Sequence, residues 1–167
     1  MEKITRYTII FIVLMMLQML IFNNIPAIGM ISPYIYLVFI LLLPVNMSKT
    51  LVLLLGFFSG LLIDVSVNSL GVHASATVMM AAVRPTVLNI LAPRIGYESN
   101  NIPLLATFGT AWALKYITSC VAVHHITLYI CFTFTFSDLG FMFLRMLINI
   151  CLTVFVIMLS EIFVFKR

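Results

Sequence analysis

Asp64 closes an oily stretch, GFFSGLLIDVSVNSLGVHA (residues 56 to 74), behind two glycines spaced by four. On a helix Gly56, Gly60 and Asp64 share one stripe, drifting by about 40° per step. Small residues at this spacing let a second backbone approach closely, so the carboxylate is expected to face packed protein rather than lipid. Two chemistries follow: Asp64 pairs with or caps a neighbouring group, or it handles a proton or cation along a polar path. At about 1.5 Å per residue, Asp64 lies some 5 Å below the outer end of its helix, Arg145 about 9 Å, and Lys115 deeper still. Arg145 is therefore the expected partner, with Lys115 second. Arg84 and Glu161 fall at compatible depths on the inner side and form a second expected pair. Such pairs hold helices in one arrangement, because breaking one strands a charge.

His73 follows a short turn after Asp64 and can reach it; a single histidine at a helix end reads as a local hydrogen-bonder. His124 and His125 are adjacent, diverge by about 100° on a helix, and cannot readily chelate an ion together. There is no HExxH, no GxSxG around any serine and no Walker-type glycine loop. Ser59 has no recognisable base beside it. Cys120, Cys131 and Cys151 are scattered in apolar sequence, with neither zinc spacing nor a disulfide framework, and read as packing residues. These observations point to a protein that is not an enzyme and uses no cofactor or metal.

The elements that must position these residues follow from composition. The chain is 63% hydrophobic and 8% charged, where soluble domains are roughly half apolar and a quarter charged. With a mean hydropathy of +1.22 it reads as an integral membrane protein. A span needs about 20 apolar residues, so the length accommodates roughly six. Hydropathy places them near Tyr7–Phe22, Ala27–Val45, Thr50–Val67, Val72–Ala92, Pro103–Val123 and Leu139–Phe163, with Pro85 expected to kink the fourth. Residues 127 to 137, TLYICFTFTFS, alternate like a strand, but a lone strand cannot cross lipid, so an interfacial loop or an extension of the fifth helix is expected. The N-terminus reads as a retained first span, because no small-x-small cleavage site follows it.

With the N-terminus inside, the cytoplasmic segments carry Lys3, Arg6, Lys49, Arg94, Lys166 and Arg167, and the external loops carry no Lys or Arg. The positive-inside rule then puts both termini in the cytoplasm. The net charge of +4 belongs to this asymmetry, and no basic run exists to hold a nucleic acid. The expectation is an all-α membrane protein, one six-span bundle over residues 1–167, with one polar, close-packed seam.

Gly56-x-x-x-Gly60-Leu61-Leu62-x-Asp64, a short polar turn, and Leu70-Gly71-x-His73-Ala74 together resemble the rod shape-determining protein MreD family. Size and span count agree with it. The resemblance implies a non-catalytic component of the bacterial inner membrane that serves cell elongation and lateral peptidoglycan synthesis. The implied partners are a bitopic MreC-like protein, the MreB filament, and the SEDS glycosyltransferase and transpeptidase, within membrane lipid. It also implies a fold similar to the substrate-binding subunits of energy-coupling-factor transporters. On that reading Gly56, Gly60, Asp64, Gly71 and His73 form a seam shaped for a partner helix. The alternative is a small-molecule-binding transporter subunit, with Asp64, His73 and Arg145 lining an outward-facing pocket.

Overall fold

The computed structural model describes residues 2–24, 32–98, 101–132 and 139–164. Seven α-helices occur among them: α1 (Glu2–Leu20), α2 (Leu37–Leu41), α3 (Lys49–Val67), α4 (Val72–Ile90), α5 (Leu105–Phe108), α6 (Thr110–Phe132) and α7 (Leu139–Val164). No strand is present among the described residues. Three stretches, Ile4–Asn24, Lys49–Val67 and Gly140–Phe163, are long and apolar enough to cross a membrane. The chain is a membrane protein on that basis. Its long helices turn large apolar side chains outward, among them Ile9, Ile12 and Met16 of α1, Leu54, Phe58 and Val65 of α3, and Phe143, Leu147 and Phe155 of α7.

Local chemistry sets the helix ends. The Ser48 hydroxyl accepts from the Leu51 amide and caps the start of α3. At the other end Asn68 takes the left-handed conformation (φ 55°), and its amide bonds the Asp64 carbonyl. Gly71 (φ 79°) opens α4. α4 then continues through Pro85, which sits inside it.

Hydrogen bonds fix how the chain runs. Gln18, Asn23, Ser66, Asp64, His73, His124 and Asn149 lie at one end of the molecule, joined by contacts such as Asn23 Nδ2 to Ser66 Oγ (3.1 Å) and Tyr36 hydroxyl to His124 Nε2 (2.9 Å). Arg84, Tyr116, Leu43, Trp112, Leu105 and Glu161 lie at the other. The segment 32–45, α4, α6 and α7 each carry residues of both groups, so these four elements run from one end to the other.

The segment expected to form the second span departs from expectation. Hydropathy predicts a continuous helix over Ala27–Val45; residues 27–31 lie outside the described ones, and within 32–45 the only helix is the five-residue α2. Pro33 and Pro44 bracket a run rich in β-branched and aromatic residues, and proline disfavours helix both at its own position and at the one before it. Yet this broken segment is the centre of the fold: from Ile35 to Leu43 no residue is more than 7% exposed. Irregular backbone can be buried this deeply only where protein encloses it and supplies its hydrogen bonds.

The neighbours supply them. Before α2, the Ser32 amide donates to Asn149 Oδ1 (2.9 Å), the Tyr34 amide to Thr153 Oγ1 (3.2 Å), and the Ile35 amide to Gln18 Oε1 (2.8 Å). At the end of α2 Tyr116 donates to the Leu41 carbonyl (3.1 Å), and beyond it the Arg84 guanidinium donates to the Leu43 carbonyl. Val45 closes the segment on the Asn101 carbonyl (3.0 Å). Each such group left unpaired in a buried setting costs about 1–3 kcal/mol, so side chains from α1, α4, α6 and α7 make the break tolerable.

The fifth expected span is also displaced. Gly109, at φ 84°, separates α5 from α6, and the long helix runs Thr110–Phe132 rather than Pro103–Val123. The described part of the strand-like stretch, 127–132, is helical and extends α6; residues 133–138 lie outside the described ones, as do Lys166 and Arg167.

Candidate functional site

The Gly–Asp–His motif builds the α3–α4 hairpin. A Cβ added at Gly60 would stand 2.5 Å from Ala74 Cα and 2.5 Å from the His73 carbonyl oxygen, so the two backbones meet there. At Gly56 the nearest atoms would be Ala81 Cβ at 3.2 Å and the Thr77 carbonyl oxygen at 3.3 Å, a looser contact. The seam expected to receive a partner helix is therefore occupied by α4 of the same chain.

Asp64 caps that neighbour. Its Oδ1 accepts from the His73 amide (2.9 Å), the Ser69 hydroxyl (2.6 Å) and His73 Nδ1 (3.1 Å), and its Oδ2 from the Ala74 amide (2.9 Å). His73 and Ala74 are in the first turn of α4, where amides lack intrahelical acceptors and the helix dipole favours an anion. The ionisable side chain in contact with Asp64 is His73, Nδ1 to Oδ1 at 3.1 Å. Arg145 and Lys115 are not its partners: Arg145 lies over the Phe141 ring, 5.5 Å from its centroid, and Lys115 is exposed.

The second expected pair is also replaced. Arg84, 1% exposed, donates through Nε to the Tyr116 hydroxyl (2.8 Å) and through Nη2 to the Leu43 carbonyl. Glu161 accepts from the Leu105 amide (2.7 Å), the first residue of α5. Near them the Tyr97 hydroxyl and Trp112 Nε1 donate to the Leu88 and Leu91 carbonyls at the end of α4 (2.7 and 2.8 Å). Carboxylates bind helix starts, and the guanidinium binds carbonyls just past a helix end. Each buried charge meets a backbone dipole of opposite sign, which depth arithmetic along separate helices could not anticipate.

At the Asp64 end lies a cluster that the motif does not contain. The Tyr34 ring centre is 5.5 Å from that of His73, 5.7 Å from His124 and 5.4 Å from His125. Tyr36 bonds Thr77 Oγ1 and His124 Nε2, both at 2.9 Å. His125 Nδ1 donates to the Val121 carbonyl (2.9 Å), and its Nε2 faces Thr153 Oγ1 at 3.4 Å. The adjacent histidines thus diverge to different partners, as the helix repeat requires. Among the described residues, no group of three His, Cys, Asp or Glu side chains is arranged to hold a metal ion. Ser59 donates back to the Leu55 carbonyl (2.5 Å).

The residues this site adds to the motif are Ser69, Tyr34, Tyr36, Thr77, His124, His125 and Thr153. Thr77, one turn beyond His73 on the same face, is the one whose spacing signals it. No family model, curated protein or solved structure matches the chain.

Proposed function

We propose that this chain is a non-catalytic scaffold of the bacterial inner membrane that serves cell elongation and lateral peptidoglycan synthesis, as a member of the MreD family. It crosses the membrane six times, five times as a long helix and once as the broken segment 32–45, with both termini in the cytoplasm. A bitopic MreC-like protein is its direct partner, and MreB, the SEDS glycosyltransferase and the transpeptidase are reached directly or through it. The observation that carries this reading is the use made of the motif. Gly60 admits the backbone of α4, and Asp64 caps that helix. The resemblance therefore rests on residues that define one rigid hairpin. A bundle whose buried polar groups hold its own backbone suits a shape-presenting protein.

The second reading, a small-molecule-binding subunit of a transporter resembling energy-coupling-factor substrate-binding subunits, is favoured by the His–Tyr cluster, which includes a ring nitrogen, His124 Nδ1, without a hydrogen-bond partner among the described residues. Purification in gentle detergent with identification of co-purifying proteins separates the two. Recovery of elongation proteins supports the scaffold, and recovery of an ATPase pair supports the transporter subunit.

A further inference from the structure

A hydroxyl carries one hydrogen, so hydroxyls bonded in series admit few arrangements. The Thr77 hydroxyl lies 2.7 Å from the His73 carbonyl oxygen, which can only accept, so the Thr77 hydrogen is used there. Tyr36, 2.9 Å from Thr77 Oγ1, must then donate to it. His124 Nε2, 2.9 Å from the Tyr36 oxygen, must in turn donate to Tyr36. One direction satisfies every contact: His124 to Tyr36 to Thr77 to the carbonyl of His73. The proton of the neutral His124 ring is on Nε2, and Nδ1 carries a lone pair.

That lone pair is enclosed. His124 is fully buried, and its Nδ1 is, among the described residues, the one buried side-chain nitrogen or oxygen without a hydrogen-bond partner. The rings of His125, Tyr34 and Tyr36 stand around the imidazole at centroid distances of 5.3, 5.7 and 6.0 Å. Hydrogen-bonding capacity remains in the same cluster. Thr153 Oγ1 and His125 Nε2 are 3.4 Å apart, at the long limit. An unfilled buried acceptor costs about 1–3 kcal/mol. Internal waters that make about 2–4 hydrogen bonds are the usual way such groups are satisfied.

We propose that His124 Nδ1 is the acceptor of a water-binding site among Tyr34, Tyr36 and His125, and that Thr77 sets the tautomer that creates it. This goes beyond the scaffold reading and does not depend on it. The site holds water without relaying protons along the chain, because the hydroxyl series ends on a carbonyl that has no proton to pass on.

The test uses the full chain in lipid nanodiscs, labelled with 15N-histidine, with a His124→Gln variant assigning the His124 signals. Nitrogen spectra read the tautomer, and magnetisation transfer from water reads hydration at Nδ1. The expected result is a proton on Nε2 alone, an Nδ1 shifted as a hydrogen-bonded lone pair, and transfer from water to it. In Thr77→Val the Tyr36 hydrogen loses its acceptor and turns to Nε2, so the ring should switch to the Nδ1-protonated tautomer; Thr77→Ser should keep the original one. A wild-type ring protonated on Nδ1, a doubly protonated ring, or the absence of water transfer would overturn the proposal. A folded Thr77→Val protein with an unchanged tautomer would overturn it too, and if that variant does not fold the wild-type spectrum decides alone.

Discussion

The α3–α4 hairpin and the segment 32–45 are both oily, yet they solve the backbone problem in opposite ways. In the hairpin, two regular helices satisfy their own amides and carbonyls, and α3 faces outward with Leu54, Phe58 and Val65. Only helix ends need help: Ser48 gives it at the start of α3, Asp64 at the start of α4, and Tyr97 and Trp112 at the end of α4. In the central segment, α2 is too short to satisfy itself, so Gln18, Asn149, Thr153, Tyr116 and Arg84 reach in from four other helices. Surroundings explain the difference: a helix that faces outward must satisfy its own backbone, whereas an enclosed segment can break where its neighbours provide donors and acceptors. The hairpin should therefore fail through steric conflict, and the central segment through lost hydrogen bonds.

The largest effect is expected at the end of the central segment. Arg84→Leu removes the donor to the Leu43 carbonyl and the partner that positions Tyr116 on the Leu41 carbonyl. Two orphaned acceptors at about 1–3 kcal/mol each make a loss of about 4 kcal/mol reasonable, read as thermal unfolding in mild detergent. A loss below about 1 kcal/mol would mean that the break is not held by side-chain donors.

Next comes the hairpin. Gly60→Ala places a methyl 2.5 Å from backbone atoms that no rotamer change can move, and overpacking of this kind costs about 3 kcal/mol. Gly56→Ala, with its nearest contact at 3.2 Å, should lose less than half of that. Leu61→Val, on the exposed side, should change stability by under about 0.5 kcal/mol. Equal losses at Gly60 and Gly56 would place the close approach elsewhere.

At the other end of the central segment, Gln18→Leu strips the acceptor from the Ile35 amide. A loss of about 2 kcal/mol is expected in the same assay. If Gln18→Leu is silent while Arg84→Leu is not, only one end of the break depends on its neighbours.

The hairpin and the long helices were legible because their information is local. The glycine stripe marks a close approach, the left-handed Asn68 and Gly71 mark a turn, and the hydropathy of 49–67 marks a pass. The broken segment was not, because a hydropathy window weighs Pro33 and Pro44 as two residues in nineteen, while their effect is to confine any helix to the stretch between them. The ion pairs failed for a related reason. Depth along a helix compares charges with charges, but the orphaned amides of α4 and α5 and the carbonyls after α2 are ligands as good, and the residue code does not write them. His124 and His125 were rightly read as divergent, but their partners Tyr36 and Thr153 come from elements whose adjacency appears only on folding.

The claim that buried charges here serve backbone ends rather than one another is tested most directly by a double-mutant cycle on Asp64 and Arg145. Asp64→Asn, Arg145→Gln and the double variant would be compared by thermal stability in detergent. Asp64→Asn weakens a charge-assisted cap and should cost about 1–2 kcal/mol. Because the carboxylate is bonded to Ser69, His73 and Ala74, that cost should be the same whichever residue stands at 145, with the two losses additive to within about 0.5 kcal/mol. Recovery of more than about 1 kcal/mol in the double variant would contradict the claim and restore Asp64–Arg145 as a structural pair.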